Sequence, residues 1–184
     1  MCECVRICTV TLSRPGRCTG VSLIELLVAV AIVAILGAVG VPAFGQFRAN
    51  QQVEAQRDAL VQAVSTARVE AQRRSVPVVL CPSSDGLRCG GITDWNKGWM
   101  LYVDNDRSQS FDAKSDTLIA SQLLAADVSI NSAVSALRWL PSGMGSAAAF
   151  RFCSQRQPSA NRQLTLNPLG NISEQGAGDA SCVS

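Results

Sequence analysis

The pattern of apolar and polar residues changes twice along the chain. The 22 residues from Leu26 to Phe47 carry no charge, and as a helix they are about long enough to cross a bilayer core. The next segment, 46–74, has no proline, and its apolar residues recur at helical spacing (Val53, Leu60, Val64, Ala67 and Ala71). These patterns predict one helix from about residue 22 to 74, apolar all round in its first half and amphipathic in its second.

After residue 77 the periodicity changes to short runs rich in β-formers and separated by Gly, Pro, Asn and Asp. The predicted strands are Val76–Cys81, Trp99–Val103, Thr117–Gln122, Ala136–Leu140, Ala148–Cys153 and Gln163–Leu166. The segments between them read as loops. The fold class predicted is α+β, with the long helix packed on a C-terminal antiparallel sheet.

Two positions interrupt the apolar part of the helix. Glu25 lies at its start, where a carboxylate in hydrocarbon costs about 2.5–3.5 kcal/mol on insertion scales. The residue is therefore either interfacial, at the level of the headgroups, or functional. Pro42 follows Gly37 and Gly40, and we expect a bend or local melting there.

Charge and composition narrow the function classes. The chain has no histidine, which removes the commonest general base and metal ligand. Residues 1–20 carry a net charge of +2, whereas the remaining 164 residues carry 13 basic and 13 acidic side chains. A neutral body argues against a protein that coats nucleic acid. The basic start before an apolar helix predicts that the N-terminus lies on the cytoplasmic side of a membrane.

The eight cysteines divide into four before the apolar run and four after it. The second four, Cys81, Cys89, Cys153 and Cys182, would lie outside the inner membrane, where disulfides persist. Three connectivities are open to them; we expect Cys81–Cys89 around one short loop and Cys153–Cys182 at the glycine-rich tail. Zinc is the disfavoured alternative, since neither C-x-x-C spacing nor histidine is present.

Three fates are open to the N-terminus: ordinary secretory cleavage after Ala38-Val39-Gly40, retention as a plain anchor, or cleavage directly after Gly20. The stretch GVSLIELLVAVAIVAIL from Gly20 closely resembles the class III signal of type IV prepilins and type II secretion pseudopilins. That resemblance implies cleavage after Gly20 by a prepilin peptidase, which then methylates the new N-terminal Val21. Val21 departs from the usual phenylalanine at that position.

The same resemblance implies a role for Glu25, the fifth residue of the mature chain. In assembled pilins this glutamate faces the N-terminal amine of a neighbouring subunit, and the opposite charge relieves the cost of a buried carboxylate. Glu25 is then an assembly residue. Pro42 falls at mature position 22, where these helices commonly carry proline.

The head has a narrower resemblance, carried by ARVEAQRRSVPVVLCPSSDG, DWNKGWMLYVDNDRS and ANRQLTLNPLGNIS. These segments are similar to the GspH/FimT/FimU group of minor pilins and pseudopilins, which implies a type IV pilin-like fold. The DNA-uptake branch of that group uses a G-R-x-R motif near the C-terminus. The matching positions here are Gly170-Asn171-Ile172-Ser173, so both arginines are absent.

The head offers candidates for chemistry, each with a structural alternative. Trp95 and Trp99 suit core packing better than a ligand platform. Asp104-Asn105-Asp106 begins like a calcium loop but lacks the required later glycine and glutamate, which favours an acidic turn. Ser146 has no G-x-S-x-G elbow and no histidine. We therefore expect no catalysis, no cofactor and no metal.

Four arginines, and no acidic residue, occupy the segment 138–162: Arg138, Arg151, Arg156 and Arg162. They are either a small phosphate-binding face or, as we expect, a solvated rim.

Together these patterns predict three segments: a cleaved leader at 1–20, a membrane or filament-core helix at 21–45, and a head at 46–184. The predicted function is a minor pilin or pseudopilin of a type IV pilus or type II secretion pseudopilus, held in the inner membrane with its head in the periplasm. Its partners would be other pilin-like subunits and the prepilin peptidase/N-methyltransferase, not nucleic acid. The alternatives are a DNA-binding competence pilin and an anchored disulfide-bonded domain with no filament role.

Overall fold

The computed structural model describes residues 22–90, 93–175 and 182. The cleavage-site residues Gly20 and Val21 lie outside the described residues. The chain divides into two compact units, Met1–Val41 and Pro42–Ser184.

A single helix, α1, runs from Leu23 to Arg74. It ends where the sequence predicts, because Ser75 adopts a left-handed conformation (φ 57°) that closes the last turn and Pro77 follows. The backbone is helical through Gly37, Gly40 and Pro42, so the expected local melting is not found in the described helix. The expected bend at Pro42 stays a prediction.

The predicted buried stripe of the second helical half is confirmed. Val53, Leu60, Val64, Ala67 and Ala71 are all between 0 and 2% exposed. The helical period of 3.6 residues keeps this stripe on one side of the helix. There it packs in one hydrophobic core with side chains from the strands that follow.

In the part of the head that the structure describes, eight strands follow α1, arranged as two antiparallel four-stranded sheets rather than the single sheet expected. The first sheet has the order β3-β2-β1-β5 and the second β4-β6-β7-β8. Their bounds are β1 Val78–Pro82, β2 Gly98–Val103, β3 Thr117–Leu123, β4 Val128–Ser132, β5 Leu137–Trp139, β6 Ala148–Ser154, β7 Arg162–Leu166 and β8 Ile172–Gln175. The strands β4 and β8 were not predicted.

The two strands β1 and β2 of the first sheet have no exposed residue, so both faces of the sheet are covered there, whereas the edge strand β3 is partly exposed. One face joins the main core through Leu80, Leu101 and Trp139. The other face carries a smaller cluster of Val79, Cys81, Met100 and Tyr102, covered by Cys89 and Phe111 from two loops.

The described cysteines form two disulfide bonds, with the connectivity expected from the sequence. Cys81 is bonded to Cys89 with Cα atoms 5.6 Å apart, and Cys153 to Cys182 with Cα atoms 6.0 Å apart. The first bridge fastens the loop after β1 over the smaller cluster. The second joins Cys182 to β6.

Candidate functional site: the assembly helix and the charged surfaces of the head

The N-terminal part of α1 is apolar and exposed on every side. Its large side chains include Leu23, Val33 and Phe44, which are 77, 68 and 62% exposed. It is the one helix among the described residues that is long and apolar enough to cross a membrane, and no part of its most apolar stretch is buried. Such a surface is unfavourable in water, so it needs lipid or other apolar helices around it.

Glu25 lies in the first turn of this helix and is exposed. A carboxylate near a helix N-terminus is stabilised by the partial positive charge of the free backbone N–H groups. The structure therefore places the single charge of the apolar run at the end of the helix where a further positive group can approach it.

The two tryptophans of the W-x-x-G-W segment pack inside the head, as expected. Trp95 is fully buried, donates its indole N–H to the Val134 carbonyl at 2.7 Å, and meets Phe150 edge-on at 5.0 Å. Trp99 is 4% exposed in the same core. Neither ring is available as a surface ligand platform.

Three of the four candidate arginines pair with carboxylates. Arg138 lies 3.2 Å from Asp104, Arg156 lies 3.0 Å from Asp127, and Arg162 lies 2.9 Å from Glu54. Arg151 is exposed on β6. A carboxylate partner compensates part of the charge of a guanidinium. The paired arginines therefore attract a phosphate less strongly than unpaired arginines would.

Strand register also separates the arginines. On β6, the buried Phe150 and Phe152 define the core-facing side, and Arg151 between them points the opposite way. Arg162 is the register partner of Phe152 and so lies on the core-facing side of the sheet. Arg138 belongs to the other sheet. The structure therefore does not gather the four arginines into one face.

The loop between β2 and β3 adds a third carboxylate, Asp116, to the Asp104 and Asp106 pair that is visible as a motif in the sequence. Asp104, Asp106 and Asp116 each offer an oxygen, and these atoms lie within 4.8 Å of one another. Asp104 is fully buried. Burial raises the pKa of its carboxyl above the ordinary value, while the N–H of Gln109 and the charge of Arg138 oppose that shift.

Tyr102 lies on the same face of the first sheet as this loop. The side chain is fully buried, and its hydroxyl has no hydrogen-bond partner among the described residues. Burial raises the pKa of the phenol, and the negative charges of Asp104 and Asp116 raise it further.

Comparison with known proteins identifies the family. The family described as Type II transport protein GspH matches residues 56–170. The chain belongs to the GspH family. A second match, the prokaryotic N-terminal methylation motif, covers residues 16–41. No match to a curated protein sequence was found.

Solved structures share the fold of this GspH-family chain. The type IV minor pilin FimU of Pseudomonas aeruginosa is 17% identical with a TM-score of 0.51, over 70% of this chain and 92% of that one. The minor pseudopilin EpsH from the Type 2 Secretion System of Vibrio cholerae is 11% identical with a TM-score of 0.50, over 70% of this chain and 99% of that one. The fold is thus that of minor pilins and pseudopilins, and the predicted type IV pilin-like class is confirmed.

Proposed function

We propose that this GspH-family protein is made as a prepilin, cut after Gly20 by a prepilin peptidase/N-methyltransferase, and held in the inner membrane by α1 with its head in the periplasm. It then joins other pilin-like subunits in a type II secretion pseudopilus or a type IV pilus, near the tip or in the complex that starts assembly. The observation that carries this proposal is the all-round apolar exposure of the N-terminal part of α1, with one carboxylate, Glu25, at its beginning.

The physical logic of the proposal is that the same helix suits two environments. In the membrane, lipid covers the apolar side chains but leaves Glu25 without an opposite charge. In a filament, neighbouring helices cover the same side chains, and the methylated amine of Val21 from an adjacent subunit supplies that charge. Glu25 therefore favours the assembled subunit over the single one, and the protein's role is structural rather than catalytic.

The test is Glu25→Val in the full-length chain. The variant should remain in the membrane fraction, because the helix becomes more apolar, and its recovery with sheared pili or pseudopili should fall by an order of magnitude. Gln46→Val is the matched control, since it also makes exposed α1 more apolar but leaves the carboxylate in place. Equal recovery of Glu25→Val and the unaltered protein would refute the assembly role.

A further inference from the structure

We propose that the loop between β2 and β3 binds a divalent metal cation, calcium by the chemistry of its ligands, through the carboxylates of Asp104, Asp106 and Asp116. Below, these three residues are called the acidic triad. The proposal revises the acidic turn without a metal that the sequence favours, because the folded loop adds Asp116 to Asp104 and Asp106. The site belongs to the head alone and does not depend on the assembly role of α1.

The triad is held in position by the loop's own backbone. The N–H groups of Asn105, Ser108 and Gln109 donate to Asp116, Asp106 and Asp104 at 2.9, 2.9 and 3.3 Å. The second oxygens of Asp106 and Asp116 accept the Ser115 hydroxyl and the Asp112 N–H, so each oxygen of these two carboxylates keeps one lone pair. Oδ2 of Asp104 accepts from both Gln109 and Arg138, which leaves its Oδ1 as the available ligand atom. The ligand atoms present are all oxygens, which suits a hard cation such as Ca²⁺ and not a thiolate- or imidazole-binding metal.

The charges of the site leave room for a divalent cation. Three carboxylates gather within 4.8 Å, and they repel one another strongly where water is excluded around the buried Asp104. The guanidinium of Arg138 offsets one of the three charges, at 3.2 Å from Asp104. Two negative charges remain, and one Ca²⁺ would neutralise them.

A second observation, independent of the carboxylates, points to the same place. Tyr102 is fully buried, yet its hydroxyl has no partner among the described residues, and such an unpaired group costs about 1–3 kcal/mol. Side chains two residues apart on a strand share a face, so Tyr102 points to the side from which Asp104 extends.

The strand register carries this further. Val79 on β1 is the register partner of Tyr102 on β2 and of Arg138 on β5. The phenol and the guanidinium therefore extend from the same face of the first sheet, one on each side of Val79. The ring of Phe111, from the same loop as the triad, covers Tyr102 edge-on at 5.2 Å. A water molecule bound to a cation in the triad would give the buried hydroxyl the partner that the protein does not supply.

The expected affinity is low. Calcium sites of extracellular modules bind with Kd values of about 10⁻⁴–10⁻³ M, and three carboxylates with a competing arginine belong in that range. Because the ion binds the folded loop, it should raise the midpoint of thermal unfolding as its concentration exceeds Kd.

The experiment uses the full-length chain in detergent micelles with its disulfides intact. Isothermal titration with CaCl₂ measures binding, and tryptophan fluorescence measures the unfolding midpoint with CaCl₂, MgCl₂ or a chelator. We expect binding heat and a higher midpoint with calcium, and a smaller effect with magnesium.

Two variants distinguish the triad from other carboxylates. Asp106→Asn removes the charge of an exposed residue but keeps an oxygen for the Ser108 N–H, so it should fold and bind calcium at least tenfold more weakly. Asp94→Asn is the matched control, because Asp94 accepts the Asn96 N–H in the same way in another loop; its binding should not change. No heat and no shift at about 10 mM calcium, equal binding by Asp106→Asn, or an equal shift with magnesium would each overturn the proposal.

Discussion

The guanidinium of Arg162 on β7 lies 2.9 Å from the carboxylate of Glu54 on α1. A second bond, from its Nε, reaches the same carboxylate oxygen at 3.0 Å across 108 residues of sequence. Arg57 extends the connection, because it pairs with both Glu54 and Glu174 of β8, at 2.9 and 2.8 Å. These ion pairs attach the second sheet to the helix. Arg162, a candidate for DNA binding from the sequence, therefore has a structural role.

The first prediction is that the full-length protein does not bind duplex DNA at physiological salt. Arg162 is paired and lies away from Arg151, so the positive charges do not act together on a phosphate backbone. Non-specific binding otherwise has Kd values of about 10⁻⁴–10⁻⁶ M and weakens steeply as salt rises. A salt titration by fluorescence anisotropy is the measurement, and micromolar binding lost on changing Arg151 and Arg162 to Ala would contradict the prediction.

The paired variant Asn171→Arg with Ser173→Arg gives the converse test. Asn171 lies in the turn from β7 to β8 and Ser173 on β8 itself, and both are exposed, so new side chains fit without repacking. The variant should gain DNA binding, each added arginine increasing the salt slope by about one. Asn171→Gln with Ser173→Gln adds length without charge, and it should bind no better than the unaltered protein.

The second prediction concerns processing. Mass spectrometry of the mature protein should find an N-terminal methylated Val21, because Gly20 precedes the apolar helix and the methylation motif spans 16–41. Gly20→Ala leaves the helix unchanged and serves as the comparison, and it should reduce cleavage. A mature chain beginning at Val41 would instead reveal ordinary secretory cleavage.

The third prediction concerns Gly98 in the W-x-x-G-W segment. Its φ of +144° disfavours any other residue, and an added Cβ would overlap the carbonyl oxygen of Gln122 on β3. Gly98→Ala should therefore lower the free energy of unfolding by about 2–4 kcal/mol. Denaturant unfolding followed by tryptophan fluorescence measures this. Gly45→Ala, in a helix with open space around the site, should cause no loss, and an equal loss in both variants would contradict the steric account.

The main elements of this fold follow from local sequence patterns. α1 is predictable because its apolar stripe recurs over many turns, and most strands because their β-branched and aromatic residues lie between turn residues. The strand β4 escaped prediction because Ser129, Asn131 and Ser132 have low strand propensity, although Val128 and Ile130 alternate correctly. β8 has one apolar residue, Ile172, and is formed by pairing with β7.

The charged surfaces are less predictable, because their contacts join distant parts of the chain. Asp104 and Asp106 are visible as a motif, but Asp116 reaches them only when the loop closes at the edge of β3. Likewise, the pairing of Arg162 with Glu54 depends on which side of the second sheet packs against α1. A local pattern records which residues are present, whereas their partners are set by strand register and by the packing of the helix on both sheets.

The last prediction concerns acid stability and Glu70 near the end of α1. Arg73 and Arg74 donate hydrogen bonds to its carboxylate at 2.8 and 2.6 Å. These bonds lower the pKa of Glu70 from 4.5 to about 2, and the bond from Arg73 has the larger effect. Because the folded state holds this carboxylate ionised to lower pH than the unfolded state does, its stabilising effect is complete above about pH 5. It is lost as the pH falls from there towards 2.

Glu70→Gln tests this directly, because it keeps the shape of the side chain and removes the titration. The unaltered protein should unfold at a higher temperature than the variant at pH 6, and the difference should shrink to near zero by about pH 2. Thermal unfolding followed by tryptophan fluorescence at a series of pH values measures it, and groups common to both proteins cancel in the comparison. A difference that stays constant from pH 6 to pH 2 would show that the ion pairs of Glu70 do not stabilise the end of the helix.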